Sequence, residues 1–374
     1  MINRQRGIMS LHDHTVVSVE TIKITTRYPR TIGRNARLGS HGDGPTSDAA
    51  IIRTDTGRAG WGLLAGPAAD PGTVVGRPVG DLFDEEDGVP DEHRWLDFAL
   101  HDLAGVILDQ PVYALLGAAG SPTVPCYDGG IYFADLDPDD APRGIDAVLG
   151  HCADDTGLGF TDFKLKIGRG NRWMERETGD ERDIAVTRAV RAAYPEARIL
   201  VDANDGYDLD GFLRYLDAVA DCNLYWVEEP FLDSAADLAA LRKHLDRVSP
   251  KTLIADGESH PDVDKLLDIA ADGALDMMLM DVVSYGLTPW RRLMPTVAKA
   301  GAQASPHAWG LPLKTLYAAQ LAAGLGNVPI VEGVPGDTVD VDTGRYLIKD
   351  GLITVPDQPG FGIPVPDQLN SGAS

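Results

Sequence analysis

Residues 199–230 read ILVDANDGYDLDGFLRYLDAVADCNLYWVEEP. An apolar run ends in Asp202, an amphipathic stretch follows over 209–219, and a second apolar run ends in Glu228. Short β-branched and aromatic runs joined by a helical period make a βαβ unit with parallel strands. Both strands close on an acid, where packing alone would call for another apolar residue.

The same texture extends to either side. Further candidate strands begin at 124 (VPCYDGG), 163 (FKLKIG), 252 (TLIADGE), 276 (DMMLMD), 302 (AQASPH) and 329 (PIVEG). With the first two they make eight, the number a (β/α)₈ barrel needs. Functional residues of such a barrel sit at the C-terminal ends of its strands. Here those ends carry Lys164 and Lys166, Asp202, Glu228, Glu258, Asp281, His307 and Glu332. Their spacing stays close to the roughly 30 residues per unit of a 250-residue barrel. The widest gap, 36 residues from Lys166 to Asp202, contains the polar stretch GRGNRWMERETGDERD at 168–183, read as an insertion whose Arg172, Trp173 and Met174 either close over the site or form surface loop.

Before the barrel, residues 15–25 and 50–64 read as strands joined by turns. The polar, Gly-rich segment 27–44 between them holds Arg30, Arg34, Arg37 and His41. Apolar residues recur at helical spacing over 92–117, with Pro111 breaking the pattern. The tail from Gly351 is too rich in Pro and Gly for a barrel helix and is expected to return to the first segment. The expected division is an α+β capping domain at 1–122, a barrel at 123–350 and a tail at 351–374.

The formal charge of −24 argues against nucleic acid or an anionic membrane as partner, because both require clustered Lys and Arg. An anionic substrate would then need a local cation to draw it in. Cys126, Cys152 and Cys222 lack metal or disulfide spacing, which fits a reducing cytoplasm. The first ten residues lack an apolar signal region, Met9 is an alternative start, and no run of about 18 apolar residues occurs.

Asp202, Glu228 and Glu258 end consecutive strands and aim hard oxygen ligands at one spot, which suits Mg²⁺. Asp256 competes with Glu258 for the third place, and Glu258 is preferred. Lys164 and Lys166 lie on one face of a strand. Pointing inward, they would be crowded by each other and by the metal, and like charge favours a neutral amine there, able to act as a base near neutral pH. His307 with Asp281 reads as an imidazole oriented by a neighbouring carboxylate. Glu332 reads as a protonated hydrogen-bond donor near the substrate carboxylate if burial raises its pKa. Asp205, after VDAN, reads as an exposed loop acid, with a substrate contact as the alternative. No Gly-rich phosphate loop follows the last strands.

The ordered set FALHDLAGVILDQPVYALLG, FKLKIG, VDAN, WVEEP, ADGE, SPHAWG, IVEG and PGFG resembles the enolase superfamily, and within it the mandelate racemase subgroup. That resemblance covers nearly the whole chain. It implies Mg²⁺ on Asp202, Glu228 and Glu258, a substrate carboxylate held by the ion, and an enolate formed by α-proton abstraction. It further implies Lys166 as base on one face, with Lys164 tuning it and touching the carboxylate. His307 with Asp281 would serve the other face, and Glu332 would hydrogen-bond the developing enolate. An even-numbered homo-oligomer and substrate choice by the capping segment follow from the same likeness. Dehydration of a sugar acid to a 2-keto-3-deoxy acid is the preferred reading, because the polar capping loop suits a polyhydroxylated acid. Racemisation or epimerisation of a 2-hydroxy acid is the alternative, cycloisomerisation ranks below both, and a non-catalytic carboxylate-binding barrel is the alternative of another class.

Overall fold

A computed structural model describes residues 10–232, 234–258 and 261–366. The readings made for residues 1–9 and for 367–374 of the tail lie outside the described residues. Three strands open the chain, β1 (Val16–Arg27), β2 (Thr46–Thr54) and β3 (Ala59–Leu63), followed by helices α1 (Asp97–Leu108) and α2 (Val112–Leu115). The helices part at Pro111, which lacks the N–H that a continuous helix would need. The strands form an antiparallel sheet. Gly60 and Gly62 of β3 face α1, where an added Cβ would lie 2.3 Å from the Leu103 backbone nitrogen and 2.5 Å from the Phe98 Cβ. Two glycines at period two thus let helix and sheet meet at backbone distance.

The alternating part runs β4 (Thr123–Ile131), α3 (Ile145–Thr156), β5 (Phe163–Lys166), α4 (Arg176–Ala193), β6 (Ile199–Asp202), α5 (Leu209–Val219), β7 (Trp226–Glu228), α6 (Ala235–Val248), β8 (Leu253–Asp256), α7 (Val263–Ala271), β9 (Met277–Met278), α8 (Val282–Tyr285), α9 (Leu287–Lys299), β10 (Gln303–Ala304), α10 (Pro312–Leu325) and β11 (Val331–Gly333). Short strands β12 (Asp337–Thr338), β13 (Leu347–Lys349) and β14 (Leu352–Thr354) follow. All eight strands read from the sequence form. They pair in parallel along β11-β4-β5-β6-β7-β8-β9-β10. Between β10 and β11 there is no strand ladder among the described residues. Ala304 N–H donates to the Asn327 carbonyl at 3.0 Å and Ser305 Oγ to that of Ile330 at 2.9 Å.

Alternation sorts the strand residues. Leu165, Val201, Val227 and Ile254 pack outward in the main hydrophobic core, whereas Tyr127, Leu200, Trp226, Ala255, Met277, Leu279 and Ile330 form a separate apolar cluster. That inner cluster lies beneath the charged strand ends. The tail contacts both parts: β14 pairs with β4, Phe361 N–H donates to Asp102 of α1 at 2.7 Å, and Trp61 Nε1 donates to the Ile363 carbonyl at 3.1 Å.

The segment 168–183 is less of an insertion than its polarity suggests, since residues from Arg176 onward are the first turns of α4. Arg169 is fully buried, 2.6 Å from both Asp135 and Asp183, with its guanidinium 4.1 Å above the Phe133 ring. Asp183 also accepts from the Gly168 N–H and the Tyr207 hydroxyl, each at 2.7 Å. This cluster pins the turn after the lysine strand. Removing one member of a buried ionic cluster leaves the other charges uncompensated, so Arg169→Met should lower the unfolding free energy by about 3–5 kcal/mol, measured by urea denaturation. A loss under about 1 kcal/mol would mean that the cluster is dispensable.

Candidate active site

Strand register builds the site. Lys166, Asp202 and Glu228 are successive Cα partners across β5, β6 and β7, so their side chains stand side by side on the inner face. The next partner is Ala255, so a third acid has to come from beyond β8. Gly257, with φ of +109°, turns the chain there. Carboxylate oxygens of Asp202, Glu228 and Glu258 gather within 4.8 Å of one another. Asp256, the competing acid, turns an oxygen to the Gly257 N–H at 2.7 Å and stands outside this group. Trp226 Nε1, two residues before Glu228 on the same face, donates to Glu228 Oε2 at 3.0 Å. Asn204 N–H donates to Asp202 Oδ1 at 2.9 Å. Asn204, Asp205 and Glu229 all adopt positive φ, a concentration of costly backbone just past the ligand-bearing strands.

The lysines balance this charge. Lys164 Nζ lies 2.8 Å from both Glu228 and Glu332 and 3.6 Å from Asp202, while Lys166 Nζ contacts Asp202 directly. Burial disfavours both ammonium groups. Glu228 and Glu332 nonetheless raise the pKa of Lys164, and Asp202 raises that of Lys166. With the carboxylates alone around them the charged form of both is favoured; the neutral amine expected of this strand belongs to a site that also holds a cation. Burial pushes Glu228 well above the usual carboxylate range, and Asp202 and Glu258 add to that rise. Three crowded acids supply only oxygen, and two of them are buried. Such a set fits a hard divalent cation such as Mg²⁺.

On the other side, His307 Nε2 lies 3.2 Å from Glu258, and Nδ1 lies 2.9 Å from Asp281 Oδ2. Burial works against the charge of Asp281, but His307 and Lys314 hold its pKa far below the carboxylate range. An ionised Asp281 can only accept, so Nδ1 carries the proton. Lys314, 2.6 Å from the same Asp281 oxygen, was not among the residues read from the sequence.

Glu332 departs from expectation. Its Oε2 accepts from the Ala308 and Trp309 N–H groups at 2.7 and 2.9 Å. Burial raises its pKa, but Lys164, His307 and these donors outweigh burial and bring it to about 2. It is therefore an ionised acceptor rather than a protonated donor.

The capping loop meets the barrel mainly through ion pairs. Arg30 holds Asp155 with two bonds, Arg34 holds Asp137 and Asp139, and Arg37 holds Asp205 at 2.9 Å. Asp205, 11% exposed, is thus a tether rather than a free loop acid. Arg172 and Trp173 Nε1 donate to the carbonyls of Arg37 and Asn35, each at 2.6 Å. The loop arginines read as suited to a polyhydroxylated substrate serve to dock the loop. Beside Lys166 stands an aromatic group: Tyr132 lies 5.3 Å below its ammonium, with His41 at 4.7 Å and Trp309 at 5.0 Å from that ring.

Residues 150–369 match the family described as enolase C-terminal domain-like. The chain belongs to the enolase superfamily. Solved members resemble it closely. Galacturonate dehydratase of Geobacillus sp., in complex with D-galacturonate and 5-keto-4-deoxy-D-galacturonate, is 33% identical with a TM-score of 0.89, over 96% of both chains. A mandelate racemase/muconate lactonizing protein of Geobacillus sp. Y412MC10, complexed with magnesium and tartrate, is 32% identical with a TM-score of 0.88, over 96% of this chain and 94% of that one. D-galactarolactone cycloisomerase of Agrobacterium fabrum is 25% identical over 352 residues, 84% of this chain and 87% of that protein.

Two outcomes check this superfamily site. Asp202→Asn and Glu258→Gln should each weaken Mg²⁺ binding, followed by calorimetry, by at least about tenfold; unchanged affinity would remove the acid from the ligand set. Glu332 has a folded pKa of about 2, below its ordinary 4.5, so its contribution is complete above pH 4.5 and lost as the pH falls toward 2. Urea midpoints of wild type and Glu332→Gln should therefore converge on acidification from pH 5 to 3, whereas a gap independent of pH would show that its ionisation is not what stabilises.

Proposed function

We propose that this protein is a Mg²⁺-dependent dehydratase of sugar acids that acts on a hexuronic acid or a close relative. One observation carries the reading: the two candidate proton carriers touch opposite ends of the acidic triad, Lys166 at Asp202 and His307 at Glu258. A substrate carboxylate seated at the triad would present its α-carbon between them. Support for the substrate class comes from the likeness to galacturonate dehydratase, which was solved with a uronate and a keto-deoxy uronate.

When bound, Mg²⁺ supplies Lewis-acid stabilisation of charge developing on the substrate carboxylate and offsets the pull of the acids on Lys166. Lys166 Nζ takes the α-proton, and Lys164 adds a second positive charge beside the carboxylate. His307 Nε2 gives its proton to the β-hydroxyl, which leaves as water. The resulting enol tautomerises to an α-keto-β-deoxy acid, so one water is lost and no redox partner is needed. The aromatic wall of Tyr132, Trp309 and His41 suits the C–H face of a sugar chain, and the triad end suits its carboxylate.

We further propose that β10 and β11 complete a closed eight-stranded barrel over 123–350, capped by 1–122 and by the tail from 351, and that the small-molecule acid is bound between cap and barrel. Three buried free thiols fit a reducing cytoplasm. Among the described residues no helix is long and apolar enough to cross a membrane.

Incubation with Mg²⁺ and a panel of uronic, aldonic and aldaric acids should release α-keto acid from at least one. Lys166→Ala should abolish both α-hydrogen exchange in D₂O and product formation. His307→Asn should cut product formation by about 10²–10⁴-fold while sparing exchange. Exchange with inversion and no keto acid would replace dehydration by epimerisation. Turnover unchanged in both variants would overturn the two-sided mechanism.

A further inference from the structure

The proton-carrying face holds one cation that the reaction scheme leaves unused. Lys314 is the third residue of α10, where a positive charge faces the positive end of the helix dipole. Its side chain is only 16% exposed. A lysine in that setting needs compensation, and among the described residues two atoms supply it. Nζ lies 2.6 Å from Asp281 Oδ2 and 3.3 Å from the Trp309 carbonyl.

Both partners bear on His307. The Oδ1 atom of Asp281 is taken by the N–H groups of Val283 and Ser284 at 3.0 and 2.8 Å, so this carboxylate caps α8 with one oxygen. The other oxygen, Oδ2, is shared by His307 Nδ1 and Lys314. Lys314 thus shares the acceptor of the imidazole. Trp309 lies two residues past His307, and its N–H is already bound to Glu332. Lys314 holds the carbonyl of that same residue, so the backbone carrying His307 is fastened from two sides.

We propose that Lys314 is a positioning residue for the acid step: by joining Asp281 to the Trp309 carbonyl it makes one frame of the ends of β9, β10 and α10 and aims His307 Nε2 at the leaving hydroxyl. This rests on the reading of His307 as the group that protonates that hydroxyl. A residue that only stabilised the fold would lower all activities together. A positioning residue acts on the His307 step and leaves the Lys166 step standing.

The test uses Mg²⁺-loaded enzyme, a sugar acid that the wild type dehydrates, and the variants Lys314→Met and Lys314→Arg. Lys314→Met should lower kcat roughly 10- to 100-fold with KM within about twofold, because outer partners of a catalytic group act through its placement. Its α-hydrogen exchange in D₂O should continue, so that exchange outruns elimination, and Lys314→Arg should recover most of kcat. Unchanged kcat, or exchange and elimination falling in equal proportion, overturns the proposal. A second measurement needs no substrate. The Nδ1–H proton of His307, identified by its loss in His307→Asn, should shift or broaden in Lys314→Met and return in Lys314→Arg; an unmoved resonance also overturns it. If the wild type dehydrates no acid of the panel, the functional reading fails, while the resonance still judges Lys314.

Discussion

Buried charge at the ends of the parallel strands is the constraint around which this molecule is organised. Lys164, Lys166, Asp202, Glu228 and Glu332 are all at most 4% exposed. Ions removed from water are costly unless opposite charges and hydrogen bonds surround them. The register of β5, β6 and β7 meets that requirement by setting Lys166, Asp202 and Glu228 abreast. The apolar layer of Leu200, Trp226, Ala255 and Met277 beneath keeps water from reaching the charges from below. Low dielectric strengthens every interaction above that layer, which is what a site stabilising a short-lived negative charge requires.

The same constraint explains why so much polar structure surrounds the site. Asn204 and Trp226 fix the orientation of Asp202 and Glu228. Glu332, an ionised acceptor, ties Lys164 to the backbone of Ala308 and Trp309. The capping loop is fastened by arginine–aspartate pairs to α3 and to the turns after β4 and β6. Those arginines are therefore engaged with barrel carboxylates.

Much of this was legible in the linear chain. A period of two within strands, a helical period between them and an ionisable residue at nearly every strand end are local patterns, and local patterns survive without tertiary information. All eight strands and the acids Asp202 and Glu228 follow from them. Glu258 was harder, because Asp256 lies on the strand itself, and only the partnering of Glu228 with Ala255 shows that the third acid must come after the Gly257 turn. Lys314 carried a weak signal, a cation in the first turn of a helix, which local rules disfavour. Nothing local connects it to Asp281, 33 residues away.

Residue type and periodicity determined which chemistry the chain could carry: hard oxygen ligands, amines and an imidazole, all at one end of a parallel sheet. Protonation state and partner choice were decided only in three dimensions. Crowding by one another and by a cation favours neutral amines at Lys164 and Lys166, and only the structure shows what opposes it, three carboxylates from other strands around Lys164. Glu332 seemed set for protonation by burial, yet two backbone N–H groups and a lysine reverse the sign. Arg30, Arg34 and Arg37 read as part of a polar loop suited to a polyhydroxylated acid, yet barrel aspartates claim them. Each difference has one physical reason: a pKa or a free charge is set by what lies within a few ångströms in space, and sequence spacing does not report that distance.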